Sequence, residues 1–246
     1  MVLEGNTVQR SYGRDKNKLR PVSLTRDVAK NAQGSCMVEF GDTHVLCCAT
    51  LEEGVPGWRK SSHQGWVTAE YAMLPCSTGR RTRREQSKRK GRSMEIERLI
   101  GRSLRTCVDM KLMGEYTLTV DCDVIQADGG TRTASITGAW VAMHDCFMKA
   151  VDDGKMKRLP IKSQVAAVSM GKVAGELLLD LDYSEDSRAD VDLNLVGTQD
   201  NKIIEIQGTG EKMAFDREEL NSLLDMGQDA IEVLLDLQNQ VTGFLD

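Results

Sequence analysis

The stretch from Tyr116 to Phe147 constrains this chain more than any other. Tyr116-Thr117-Leu118-Thr119-Val120-Asp121-Cys122-Asp123-Val124-Ile125 alternates polar and apolar side chains with the period of a strand. Ile136, Trp140, Met143 and Phe147 recur with the period of a helix. Between them stand Asp128-Gly129-Gly130-Thr131-Arg132-Thr133, so two glycines, an arginine and hydroxyls occupy a strand-to-helix turn. The first turn of a helix carries unpaired N–H groups and the positive end of the dipole, which suits an anion. Glycine lets such an anion approach the backbone, and Arg132 adds a forked cation. A plain turn capped by Thr131 or Thr133 uses the same residues, and turn chemistry by itself does not choose between the two.

Charge adds a second constraint. The net charge of −5 conceals a basic run over residues 80–92, with eight Lys and Arg against one Glu. That run carries +7, which leaves −12 on the rest of the chain. Concentrated basic charge on an acidic body points to a polyanion held at one place, with nucleic acid favoured over a merely solvated loop. Hydrophobic content of 40% and charged content of 28% are those of a soluble globular protein. Met1 to Arg10 lacks the apolar core of a signal peptide, and no apolar run is long enough to span a bilayer. The seven cysteines are odd in number and without C-x-x-C spacing, which predicts reduced, mostly buried thiols and a cytoplasmic protein without membrane partners.

The pattern of elements predicts an α/β (α+β) architecture of mixed sheets and packed helices in two related halves. Residues 1–16 read as a polar arm, 17–151 as a first part and 160–246 as a second. Strands are expected near Pro21–Thr25, Ser35–Phe40, His44–Thr50 and Trp66–Tyr71. Ser93 is expected to cap a helix with Glu95 and Glu97 in its first turn and an apolar stripe through Ile96, Leu99, Ile100, Leu104, Val108 and Leu112. A hairpin is expected over 165–181, a strand pair around Asp200-Asn201, and a last helix from Asp216 with Glu219 completing a capping box.

The segment Glu185-Asp186-Ser187-Arg188-Ala189-Asp190-Val191-Asp192 gathers aspartates around a short connection. Two of them suit a Mg²⁺ ion that keeps water and a substrate phosphate as further ligands, although acidic turns without a ligand are common. An anion site, a basic segment and a candidate metal site together fit phosphoryl chemistry on nucleic acid.

Long motifs then become informative: Leu19-Arg20-Pro21-Val22, Val38-Glu39-Phe40-Gly41-Asp42-Thr43, Glu52-Glu53-Gly54-Val55-Pro56, Gly65-Trp66-Val67-Thr68-Ala69-Glu70-Tyr71, Met94-Glu95-Ile96 and Asp121 through Gly138. With these motifs the chain resembles the RNase PH family of phosphate-dependent 3′→5′ exoribonucleases, related to polynucleotide phosphorylase and to exosome core subunits. The resemblance runs from about Leu19 to Glu232. It implies a βαβα fold like that of ribosomal protein S5 domain 2, and a homo-hexamer built as a trimer of dimers. It implies a phosphate site at Arg92, Gly130, Thr131 and Arg132, and a catalytic pair at Asp186 and Asp192 that holds Mg²⁺ or Mn²⁺ or, in one of the two, acts instead as an acid towards the leaving oxygen. RNA binding falls to Arg81 and Arg84, with Arg80 and Arg83 beside them. Where the family has arginine after Leu-Pro, this chain has Cys76, and the loop before Arg92 is about two residues shorter; Lys88, Arg89 and Lys90 offer compensating charge.

The implied activity is that of a tRNA nucleotidyltransferase. Inorganic phosphate attacks the last phosphodiester of an RNA 3′ end, chiefly of tRNA precursors and also of rRNA, and a nucleoside diphosphate leaves. The reaction also runs in reverse. Only three histidines are present, which agrees with a nucleophile that is already anionic and needs no strong base. Two competing readings are a non-catalytic RNA-binding subunit of an exosome-like ring and a small-molecule phosphotransferase. The latter leaves the basic run unexplained.

Overall fold

The computed structural model describes residues 10–83 and 91–245. Its first sheet contains β1 (Val22–Arg26), β2 (Gly34–Phe40), β3 (Thr43–Glu53), β4 (Trp66–Met73) and β5 (Tyr116–Gln126), in the order β1-β2-β3-β5-β4. All neighbours are antiparallel except β4 and β5. A parallel pair needs a crossover, and α1 (Gly91–Cys107) with the short α2 (Met110–Met113) supplies it. After β5 the chain turns at once into α3 (Thr131–Asp152).

The second sheet is antiparallel, in the order β7-β6-β8-β9, from β6 (Ala166–Val173), β7 (Glu176–Leu179), β8 (Val191–Thr198) and β9 (Lys202–Gly210). The one-turn helix α4 (Tyr183–Asp186) joins β7 to β8, and α5 (Arg217–Thr242) closes the chain. Helix α3 packs across β2 and β3 and also reaches β6. Packing on both sides is why its side chains are buried almost all round rather than along one stripe. The approach to β2 is close: a Cβ at Gly34 would lie 2.1 Å from the Ala142 carbonyl oxygen, so only glycine fits. Helix α5 covers β6 and β8 through Leu223, Ile231, Leu234 and Leu235, and one continuous apolar core runs through both halves.

Local chemistry explains where expectation and structure part. Helix α1 begins at Gly91, so Ser93 is an interior buried residue rather than its cap, and no acid lies in its first turn. The apolar stripe does not continue to Leu112. Asp109 interrupts it, because Oδ1 accepts the Lys111 and Leu112 N–H groups at 3.0 Å and starts the separate α2. The expected capping box of Asp216 and Glu219 is present at the start of α5. Of the arm expected over 1–16, residues 1–9 lie outside the described residues, and the part from Arg10 onward is firmly held. Arg10 is buried and donates to both carboxylate oxygens of Glu185, at 2.7 and 2.9 Å, and Arg14 reaches the same carboxylate at 3.0 Å. In the described part, Arg10 and Arg14 form an ion-pair strap across to the second half.

A second buried ion pair joins the halves beside the β5–α3 turn. Arg20 is enclosed and donates through Nε and Nη2 to the two oxygens of Asp180, at 3.0 and 2.8 Å. Its Nη1 donates to the Asp128 carbonyl, and Nη2 reaches the Gly129 carbonyl at 3.4 Å. Removing one partner of such a pair strands the other charge away from water. Arg20→Ala is therefore expected to lower the urea-unfolding free energy by about 3–5 kcal/mol. Replacing both partners (Arg20→Met with Asp180→Leu) should recover part of that loss. A change below about 1 kcal/mol for Arg20→Ala would show that the pair does not hold the halves together.

Candidate active site

The strand-to-helix turn is built by three constraints. Gly129 and Gly130 both have left-handed φ, +77° and +66°, which a side chain would strain. A Cβ on Gly129 would lie 2.5 Å from the Leu181 carbonyl oxygen, because the turn presses against the Leu181–Tyr183 backbone of the second half. Thr43 Oγ1 donates to the Gly129 carbonyl at 2.6 Å and accepts the Asp128 N–H at 2.9 Å, so the turn is fixed from the first sheet as well.

Gly130 occupies the N-cap position of α3, and no side chain caps the helix. The two threonines that offered the capping alternative are engaged elsewhere. Thr133 Oγ1 donates to the Gly130 carbonyl at 2.9 Å, and Thr131 Oγ1 shares a 2.8 Å hydrogen bond with the Tyr71 hydroxyl. The positive end of a 22-residue helix thus opens into a cleft without an internal cap.

That cleft has a volume of about 310 Å³ and lies between the two halves. Arg92, Gly130, Thr131, Arg132, Asp186 and Asp192 all line it. Residues far apart in the chain therefore meet in one place. Arg92 comes from the first turn of α1 and is exposed. Arg132 is steadied by two neighbours: Glu95 Oε1 accepts from its Nη1 at 3.3 Å, and Gln207 Oε1 of β9 accepts from the same nitrogen. Gln207 Nε2 in turn donates to Glu95 Oε1 at 3.0 Å.

Opposite these cations stand the two aspartates. Asp186 ends α4, which a capping box between Asp182 and Glu185 stabilises and which the Arg10–Glu185 pair anchors. Asp192 lies on β8, opposite Gly171 of β6 and Thr209 of β9. Burial, with the charge of Asp186 behind it, pushes the Asp192 carboxyl up to about 6, although Arg132 and Arg92 pull the other way. Asp186 is open at the mouth, and protein crowding still raises its carboxyl, again against Arg92 and Arg132. Asp190 does not line the cleft.

A pair of hard carboxylates, each held above its ordinary range chiefly by burial, is a donor set that fits a divalent cation such as Mg²⁺. Among the described residues no cluster of three or more His, Cys, Asp or Glu side chains is placed to ligate a metal. An ion held by two carboxylates keeps water in its remaining positions, as Mg²⁺ prefers.

A second depression shares Thr78, Ala127 and Tyr183 with the cleft and adds Arg80 and Thr82. Arg80, Arg81 and Arg83 are exposed. Arg84, Lys88, Arg89 and Lys90 lie outside the described residues. Cys76 is exposed after Leu74-Pro75, whereas five of the other cysteines are buried and Cys48 is half-buried; none forms a disulfide. Sequence reading missed Met73, Thr78, Ser169, Tyr183 and Asn194 in the cleft lining, and the positioning roles of Tyr71, Glu95 and Gln207. Ser169 and Asn194 did carry a signal, as polar residues flanked on both sides by apolar ones within their strands.

The raised Asp192 carboxyl has a consequence for stability. A half-buried acid whose folded value exceeds its ordinary 3.8 opposes folding when ionised. That cost is absent below about pH 4 and complete above about pH 7. In EDTA at pH 7.5, Asp192→Asn is therefore expected to raise the unfolding free energy by about 1–3 kcal/mol, a gain that vanishes at pH 4. Destabilisation by Asp192→Asn at pH 7.5 would mean that the carboxylate makes attractive interactions beyond those described.

Comparison with known proteins agrees with this architecture. Residues 18–149 match domain 1 of the 3′ exoribonuclease family, RNase PH, and residues 163–230 match its domain 2. The fold resembles that of Rrp46 from rice (Oryza sativa), with a TM-score of 0.77, 21% identity, and coverage of 95% of this chain and 100% of that one. It also resembles a chain of the Archaeoglobus fulgidus exosome with RNA bound to the active site, with a TM-score of 0.79, 23% identity, and coverage of 92% and 91%. An archaeal exosome core chain matches with a TM-score of 0.74 at 21% identity over 93% and 89%. The mixed α/β architecture in two halves, expected to be like ribosomal protein S5 domain 2, is the one found. The chain belongs to the RNase PH family of 3′ exoribonucleases.

Proposed function

We propose that this protein is a phosphorolytic 3′→5′ exoribonuclease that trims RNA 3′ ends, chiefly those of tRNA precursors and also rRNA, and releases nucleoside 5′-diphosphates. The observation that carries this reading is the meeting of the uncapped α3 N-terminus, Arg92 and Arg132 with Asp186 and Asp192 in one cleft. A non-catalytic ring subunit has no need of both sets of charges. One structural neighbour was solved with RNA in its active site, which supports RNA as the substrate class.

In this reading the first-turn N–H groups of α3, with Thr131, Arg132 and Arg92, seat inorganic phosphate. One phosphate oxygen attacks the phosphorus of the last phosphodiester. A new P–O–P linkage forms, and the bond to the 3′ oxygen of the preceding ribose breaks. The leaving oxygen takes up a proton and becomes the new 3′-hydroxyl. Bringing two anions together in line is the main obstacle, and the cationic side of the cleft offsets their repulsion. Asp186 and Asp192 would hold Mg²⁺ or Mn²⁺, and such an ion would supply positive charge near the leaving oxygen. The phosphodiester broken and the phosphoanhydride formed are of similar energy, so the reverse addition of nucleotides from diphosphates proceeds on the same groups. The basic run from Arg80 to Arg92 guides RNA towards the cleft, within a homo-hexamer arranged as a trimer of dimers in the cytoplasm.

Arg92→Ala and Arg132→Ala should each slow phosphorolysis of a 3′-extended tRNA by roughly 10- to 1000-fold at fixed phosphate, with filter retention of RNA nearly unchanged. Near-normal phosphorolysis in both variants would overturn the assignment. Replacing Arg80 and Arg81 with alanine should weaken long RNA similarly whatever its sequence. The slope of log affinity against log salt should fall by roughly one unit for each RNA phosphate that the variant no longer neutralises. An unchanged slope would remove these side chains from the RNA path.

A further inference from the structure

Strand β6 runs Ala166-Ala167-Val168-Ser169-Met170-Gly171 through the core. Ser169 is its one hydroxyl, and the residue is only 5% exposed. Its Oγ is buried and has no hydrogen-bond partner among the described residues. Buried hydroxyls nearly always find a partner, so an unpaired one at the wall of a cleft invites an explanation. Ser169 lines the cleft described above, and its Oγ lies 3.4 Å from where a Cβ on Gly130 would stand. The backbone around it is committed: the Ser169 carbonyl accepts the Asp180 N–H at 2.7 Å, next to the Arg20–Asp180 pair. The strand itself therefore cannot easily move away from the cleft wall. Its cross-strand neighbour Asn194 is also buried and lines the same wall.

We infer that Ser169 is a further ligand of the attacking phosphate, its Oγ–H donating to a phosphate oxygen seated at the N-terminus of α3; this rests on the function proposed above. The turn offers N–H groups from one side, Arg92 and Arg132 offer guanidinium groups, and Ser169 completes the cradle from the second half. A phosphate oxygen gives the hydroxyl the acceptor that the protein does not. Ser169 thereby couples phosphate seating to the position of β6, the strand that pairs with Asp192-bearing β8.

The test uses the full chain without RNA or divalent ions. Inorganic phosphate is titrated while the unfolding midpoint is followed, for the unaltered protein, Ser169→Ala and Arg132→Ala. Ser169→Ala is expected to weaken phosphate by about 5- to 20-fold, the loss of one hydrogen bond to a charged group. Its midpoint in phosphate-free buffer should be equal to or higher than that of the unaltered protein, because an unpaired buried hydroxyl has been removed. In steady-state assays the KM for phosphate should rise, while the KM for RNA stays the same. Undiminished phosphate affinity in Ser169→Ala, with Arg132→Ala weakened, overturns the role of Ser169 and leaves the proposed function standing. A lowered midpoint without phosphate, or a rise in the KM for RNA alone, also overturns it. Absence of phosphate binding by the unaltered protein overturns the underlying reading and this inference together.

Discussion

The buried pair between Arg20 and Asp180 is the interaction on which the rest of the molecule depends. It ties a residue just before β1 to one just after β7, far apart in sequence, and Arg20 also grips the carbonyls of the Asp128-Gly129 turn. A lone charge in that place would be costly, and a lone glycine turn would be free to move. Together they fix both sides of the cleft with one side chain. The Gly129 backbone then rests against Leu181–Tyr183, and Tyr183 N–H donates to Asp128 Oδ1 at 3.2 Å. The cleft between halves is thus specified by short, directional interactions, while the continuous apolar core supplies most of the stability.

The cleft itself is electrostatically divided. One wall collects an uncapped helix N-terminus and two arginines, and the other collects two aspartates. Each set on its own is unfavourable in a partly dry site, which is why Asp192 sits near 6 rather than at its ordinary value. Natural helix starts are usually capped by a side chain, and here both threonines that could do so are drawn off to Gly130 and Tyr71. A site that holds unpaired donors on one side and crowded carboxylates on the other is arranged for an incoming anion and an incoming cation. Local stability is given up where ligands restore it.

Much of this was legible in the chain. The Asp128–Thr133 turn stood out because strand and helix periods change abruptly across two glycines, and the cleft assembles around it. Asp186 and Asp192 were visible only as part of an acidic segment, and what the family resemblance implied set them apart from Asp190. The limits of α1 were less readable: Gly91 opens the helix after a basic run, and the Asp109 cap broke a stripe whose apolar spacing continued to Leu112. The strap from Arg10 to Glu185 was invisible because ion pairs across 175 positions leave no periodic trace. Ser169 was visible only as a polar residue in the strand sequence, and its importance emerged once its oxygen was found unpaired at the cleft wall.

The central claim is that phosphate, rather than water, is the nucleophile in this cleft. The most direct measurement supplies inorganic phosphate labelled with ³²P to the purified protein, a divalent cation and a 3′-extended tRNA. Products are then separated by thin-layer chromatography. The account predicts that the label appears as the β-phosphate of nucleoside diphosphates, in step with shortening of the RNA, and that shortening stops when phosphate is withheld. Unlabelled nucleoside monophosphates as the products, or RNA left intact in the presence of phosphate, would contradict it.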